Sequence, residues 1–315
     1  MQNTISNAVM DRRTRTRIRN QKDWKQNWSV YLLFLPAVVL FGIFNYAPMF
    51  GIVMAFENFK PTKGFFGSKW VGMANFMDLF SSEEFLTVFR NTVVMAFMNL
   101  TIGFVFPIVL ALLLSELTSK KFRRVVQTVS YMPYFIATVV VCTLITNFCD
   151  TQGIVTDILV AFGAERENLL ANPKYFWWIN TFSEVWQGMG YGSIIYVAAI
   201  SNINPNLYEA AAMDSANRWQ RMLYITLPGV LPTVVTMFTL RVGLVFVTGF
   251  DKVLLLYSPT IYDTADCLST YTYRYGIANS NYGLSAAAGL FQSVIATTLL
   301  ILSNKLNQSA SKRLG

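Results

Sequence analysis

The chain has 315 residues, of which 54% are hydrophobic and 13% charged, with a formal net charge of +8 and no histidine. Ordinary soluble proteins carry about 25% charged residues, so this composition excludes a typical soluble enzyme, and the missing histidine removes His-based catalytic dyads and the usual zinc sites. Basic residues Arg12, Arg13, Arg15, Arg17, Arg19, Lys22 and Lys25 come just before a long apolar run. They read as an arm that fixes orientation and touches anionic headgroups, not as a nucleic-acid interface, since no nucleic-acid fold accompanies them.

Six stretches have the length and apolarity to cross a bilayer, which takes about 20 mostly apolar residues each. They lie near 29–52, 91–115, 127–149, 178–201, 228–250 and 282–303, and lipid obliges each to be helical. The first is too long and too far from the start for a cleavable signal. The predicted layout is a basic cytoplasmic arm over 1–28, a transmembrane domain over 29–303 and a cytoplasmic tail over 304–315. Tyr46-Ala-Pro48 bends the chain out of the first span into an amphipathic, aromatic outer segment, and residues 61–90 read as an ordered outer loop with short interfacial helices. Pro107, Pro133 and Pro232 fall in or near spans and favour kinks.

With the amino terminus inside, segments 1–28, 116–126, 202–227 and 304–315 hold 16 Lys plus Arg and five Asp plus Glu, whereas the outer segments hold eight and eleven. The positive-inside rule then places both termini in the cytoplasm. Only Glu184 and Arg241 are ionisable within the spans; such residues are costly in lipid, so they are expected to pair or to line a cavity. Cys142 and Cys149 stand seven residues apart on one helix, about 10 Å in rise and too far to bridge.

The 202–227 loop is expected to be cytoplasmic. Asn204-Pro205 starts a helix, with Asn as N-cap and Pro at the first helical position. Small alanines follow, and Asp214-Ser215 is expected to end this helix and cap a second one from Ala216 to Leu223. Two short helices at an angle make a knob that fits a groove in another protein.

The outer halves of spans three to five carry aromatic and hydrogen-bonding side chains that could line a pathway: Tyr134, Asn147, Trp178, Asn180, Glu184, Trp186, Gln187, Tyr191 and Arg241.

The loop reads Glu209-Ala-Ala-Ala-Met-Asp-Ser-Ala216, with Ile225 ten residues after Ser215 and Leu227-Pro228 closing it. It resembles the EAA loop of bacterial ABC importer permeases, which usually has Gly where this chain has Ser215. Pro48-Met-Phe-Gly-Ile-Val-Met-Ala-Phe56, Gln127-Thr-Val-Ser-Tyr-Met-Pro133, Gly249-Phe-Asp-Lys-Val253 and Tyr271-Thr-Tyr-Arg-Tyr-Gly276 resemble binding-protein-dependent permeases of the carbohydrate-uptake type (MalF/MalG-like), in the LplB-like polysaccharide and oligosaccharide branch. The resemblance implies an all-α integral membrane protein with six transmembrane helices and the type I ABC importer permease fold. It implies ATPase coupling through Glu209, Ala210, Ala211, Asp214, Ser215, Ala216, Arg218, Ile225, Leu227 and Pro228. It further implies a second homologous permease, an ABC ATPase dimer that binds ATP and Mg, an extracytoplasmic solute-binding protein and a sugar substrate, all at a bacterial cell membrane. The chain has no G-x-x-x-x-G-K-[ST] phosphate cradle, so ATP must be hydrolysed elsewhere. The alternatives are an ABC permease for another solute and an ion-coupled secondary transporter. The latter predicts acids near the bilayer midplane, whereas Glu184 lies near an outer end.

Overall fold

The structure is a computed structural model that describes residues 27–246 and 249–314. The basic arm expected over 1–28 lies almost wholly outside them. Two compact units are distinguished, one ending at Val53 and the other comprising Met54–Gly315. In the first, α1 (Trp28–Phe41) is apolar on every side and has no buried residue.

The second unit begins with a tight folded segment. Two-residue strands β1 (Glu57–Asn58) and β2 (Lys69–Trp70) pair antiparallel, a small exception to the all-helical expectation. Phe56 stacks on Trp70 with ring centroids 5.7 Å apart, and α2 (Ala74–Ser81) packs Phe76 and Leu79 beneath them.

The second expected span starts earlier than residue 91. Helix α3 (Glu83–Met98) is capped by Ser82, whose hydroxyl accepts from the Phe85 amide, and has Glu83 and Glu84 in its first turn, where the helix dipole favours acids. A π turn, Asn99–Gly103, joins it to α4 (Phe104–Glu116).

The span expected over 127–149 is not one helix. It is α5 (Lys120–Tyr131), a tight turn at Met132–Phe135, and α6 (Thr138–Cys149). Pro133 has no amide to continue the ladder, and Ile136 and Ala137 are extended. Short α7 (Ile154–Ala161) follows.

Helix α8 (Pro173–Ser201) starts at the Asn172 cap, five residues before the expected span. Its 29 residues extend about 43 Å at 1.5 Å per residue.

After the loop helix α9 (Pro205–Met213), a continuous helical run leads from Arg218 through a π turn at Met222–Thr226 into α10 (Leu227–Leu244). Leu227 and Pro228 therefore lie inside a long helix, not at the end of a loop. Helices α11 (Phe250–Leu256) and α12 (Leu268–Tyr273) belong to the segment that follows. The last helix, α13 (Tyr282–Leu314), takes in most of the expected 304–315 tail.

Among the described residues, five helical segments have the length and apolarity to cross a membrane: Trp28–Phe56, Glu83–Glu116, Thr138–Ala161, Arg218–Leu244 and Tyr282–Asn307. Buried side chains hold the second unit together in separate clusters. Phe85, Val88 and Tyr271 pack with Ala287 and Ala288, Phe176 with Cys142, Cys149, Ile261 and Cys267, and Tyr196 with Ile108 and Ala111. The three cysteines are free. Phe97, Leu113 and Leu244 remain at least half exposed, as lipid-facing positions should.

Candidate functional site

The break between α5 and α6 creates a polar cavity. Its volume is about 610 Å³, and its walls come from the break (Tyr134 to Thr138), from α8 (Glu184, Gln187, Gly188) and from Gly249 to Lys252. Breaking the helix leaves the Ile136 carbonyl without a ladder partner, and Gln187 Nε2 donates to it at 3.3 Å. Helix α8 reaches this wall because Gly190 allows backbone contact: a Cβ there would lie 1.9 Å from the Ser130 carbonyl oxygen. Beside the break, the Tyr134 and Tyr191 rings lie parallel, 3.9 Å apart.

Glu184 does not pair with Arg241. Its carboxylate lies 3.0 Å from Lys252 Nζ, and the Arg241 guanidinium donates to Asn99 Oδ1 at 2.6 Å. Lys252 is the cavity residue that residue types alone missed. It sits just beyond the fifth span, where a lysine reads as an outer-loop charge, although it belongs to the quoted Gly249-Phe-Asp-Lys-Val253 stretch. Gly249 adopts φ +94° at the start of α11, and this turn sends Lys252 inward until 3% of its side chain is exposed. The ammonium has no partner in hydrogen-bond geometry, so the Glu184 charge is what balances it in the wall.

The other expected pathway residues separate. Trp186 and Trp178 lie with Phe182 on another face of α8, in an apolar cleft of about 540 Å³ against Leu144, Phe148 and Leu159. Spacing by four residues puts them on one stripe, away from the polar cavity. Asn147 is exposed and lines neither space. Asn180 is buried beside Asn99 and Glu184 at a narrow gap behind the polar cavity.

The loop is built by two termination motifs. Asn204 caps α9 by accepting from the Asn206 amide. At the other end Ser215 has φ +57°, its amide bonds to Ala212 O at 3.1 Å and the Ala216 amide to Ala211 O at 2.9 Å. This paired pattern, closed by a left-handed residue, is a Schellman motif. Ser215 is therefore not the expected N-cap. Asn217 takes that role, forming a reciprocal capping box with Gln220. Tyr208 ties α9 to the next helix through Thr226 Oγ1 at 2.9 Å.

Glu209, Ala210, Asp214 and Ser215 are exposed, and Ala211 and Ala216 half-buried. Around them Met213 is 86% exposed, Trp219 65% and Tyr224 79%. Arg218 is exposed, Ile225 and Leu227 are half-buried, and Pro228 is exposed on the helix above. Met213, Trp219 and Tyr224 were not singled out in the sequence, because periodicity does not tell an uncovered apolar side chain from a packed one.

A bundle of long apolar helices with a polar cavity at a helix break and an exposed loop of small residues fits a membrane transport component. Residues 103–312 match the family described as binding-protein-dependent transport system inner membrane component. The chain belongs to that family and is a permease subunit, not an enzyme. It is 37% identical over 282 residues to the polygalacturonan/rhamnogalacturonan transport system permease protein YteP of Bacillus subtilis, covering 89% of this chain and 88% of that one. Protein LplB of the same organism is 34% identical over 281 residues, with the same coverage. A solved bacterial alginate ABC transporter, in complex with an alginate pentasaccharide-bound periplasmic protein, superposes with a TM-score of 0.84 at 39% identity, covering 92% of this chain and 98% of that one.

Proposed function

We propose that this chain is one of two permease subunits of an ATP-driven importer that moves an oligosaccharide, delivered by an extracytoplasmic binding protein, across the bacterial cell membrane. The carrying observation is the polar cavity at the break between α5 and α6. Tyr134, backed by the Tyr191 ring stacked on it, offers an aromatic wall, and Glu184 and Gln187 offer hydroxyl partners, the combination a sugar requires. Similarity to permeases named for acidic polysaccharides supports the substrate class.

In this reading there are six spans, α8 supplying the sixth, and both termini are cytoplasmic. Glu209, Ala210, Ala211, Asp214, Ser215, Ala216 and Arg218 meet a partner ATPase, which holds ATP and Mg. Ile225, Leu227 and Pro228 carry the movement into α10. Met213, Trp219 and Tyr224 are covered at the same contact. Arg241, held by Asn99, acts on α3 and α10, while Trp186 and Asn147 have no place at the sugar. The uncovered α1 faces lipid or the second permease.

The test is reconstitution with the second permease, the ATPase and the binding protein in proteoliposomes, followed by uptake of labelled oligogalacturonide or alginate oligosaccharide. The reading requires uptake that depends on both ATP and the binding protein. Uptake driven by an ion gradient without ATP would replace it with a secondary transporter.

A further inference from the structure

Behind the loop, a second polar cavity of about 320 Å³ lies between the ends of α4 and α8, the start of α5 and the loop itself. Its charged lining is Arg123, Arg218 and Arg221 against Glu116, three cations less one anion, a net charge of +2. None of the four forms an ion pair among the described residues. Arg123 uses Nη2 on the carbonyls that end α4, Ser115 O at 3.2 Å among them, but its Nε is buried with no partner. A buried donor left without a partner is unfavourable, so this arrangement lacks an acceptor.

We propose that this cavity binds a phosphate-bearing anion, either a phospholipid headgroup or soluble phosphate. Guanidinium forks match phosphate oxygens two at a time, and three of them converge here on a space large enough for a headgroup. Glu116 repels an anion on one side, so the ligand sits toward Arg218 and Arg221, with Arg123 adding its charge from the cavity wall. Next to Arg123, α5 exposes Phe122, Val125 and Val129 at 55%, 59% and 61%. These follow helical spacing and give an acyl chain a track beside the headgroup, the chemistry by which basic pockets near helix ends take anionic lipid. Because Arg218 and Arg221 belong to the loop and Arg123 to the helix behind it, a bound phosphate braces the loop against the bundle. The site does not depend on which solute is carried; only its placement on the cytoplasmic face rests on the orientation proposed above.

The test uses the assembled transporter in neutral detergent, read by native mass spectrometry for retained phosphatidylglycerol and by calorimetry for inorganic phosphate. Transport is not read, so failure of the transport reading would leave this result interpretable. The expected result is retention of phosphatidylglycerol by the natural protein, reduced about tenfold in the Arg218→Gln/Arg221→Gln double variant and partly restored in Arg218→Lys/Arg221→Lys, which keeps the charge without the fork. Binding of inorganic phosphate without lipid retention, lost in the Gln variant, would support the site with a soluble ligand. Equal binding of both probes by the natural and Gln proteins, or binding of neither by the natural protein, overturns it. The Lys variant separates loss of charge from loss of fold.

Discussion

Lys252 holds its ammonium 3.0 Å from the Glu184 carboxylate, joining α11 to the middle of α8 at the wall of the polar cavity. The lysine is almost fully buried and the glutamate 31% exposed, so the pair presents its acidic side to the cavity. Removing one partner leaves a charge without its counterion, which is costlier than removing both. Glu184→Gln alone and Lys252→Met alone should each destabilise the purified transporter by about 2 kcal/mol, discounted for the exposed carboxylate. The double variant should lose less than the sum. Thermal unfolding of the assembled complex checks this; strictly additive losses would show that the two charges do not interact.

Ser215 sits in the left-handed region at a position where glycine carries no Cβ penalty. Ser215→Gly should raise stability by about 0.5–1 kcal/mol, and Ser215→Val should lower it by more than that, because a β-branched residue is strained at positive φ. The measurement is the melting temperature of both variants in one detergent. A less stable Gly variant would mean that the Ser hydroxyl, not the turn, matters here.

Gly190 lets α8 touch the α5 backbone, since an added Cβ would meet the Ser130 carbonyl. A backbone atom cannot turn aside as a side chain can. Gly190→Ala should therefore separate the helices, disturb the Tyr134–Tyr191 stack and cut uptake at least about tenfold, a barrier change of only 1.4 kcal/mol. Assembly with the partner subunits, followed by size exclusion, distinguishes lost transport from lost expression. Uptake within twofold of the natural protein would show that α5 and α8 do not meet this closely.

Arg274 bridges Glu84 on α3 at 2.6 Å and Asp266 just before α12. Burial raises the Asp266 carboxyl above its ordinary pKa, opposed by hydrogen bonding from Thr270 and the charge of Arg274. A carboxyl raised in the folded state contributes its full stability below the unfolded pKa and loses it as pH rises through the folded value. Taking the arginine away deepens that loss. Arg274→Ala should cost about 3 kcal/mol at neutral pH and progressively less as pH falls toward about 4. Unfolding followed across this range checks the sign; a penalty that grows in acid would contradict it.

Much of the architecture was legible because apolar length is a strong signal in a membrane chain: the stretches near 91–115 and 282–303 fall within long helices, and the stretch near 228–250 lies in one as far as Leu244. What escaped was the irregular backbone that makes the sites. Pro133 was marked as a kink, but the full break at Ile136 and Ala137 depends on α8 supplying Gln187 to the freed carbonyl, a long-range partner that a local pattern does not contain. The loop residues were found through their spacing, yet Ser215 was assigned a cap because serine favours caps; Asn217, two residues on, took the cap and left Ser215 the turn. Lys252 was hidden by its neighbours, since one positive φ at Gly249 decides whether it points to water or to Glu184.

The central claim, that a partner ATPase drives this chain through the exposed loop, is tested most directly by Glu209→Lys in the reconstituted complex, with ATP hydrolysis and sugar uptake measured on the same vesicles. Glu209 is exposed and forms no ion pair among the described residues, so the substitution should leave insertion and fold intact. The account predicts uptake reduced at least about tenfold, which needs only 1.4 kcal/mol, with the chain still inserted and hydrolysis no longer stimulated by the loaded binding protein. Normal uptake with normal stimulation would contradict it.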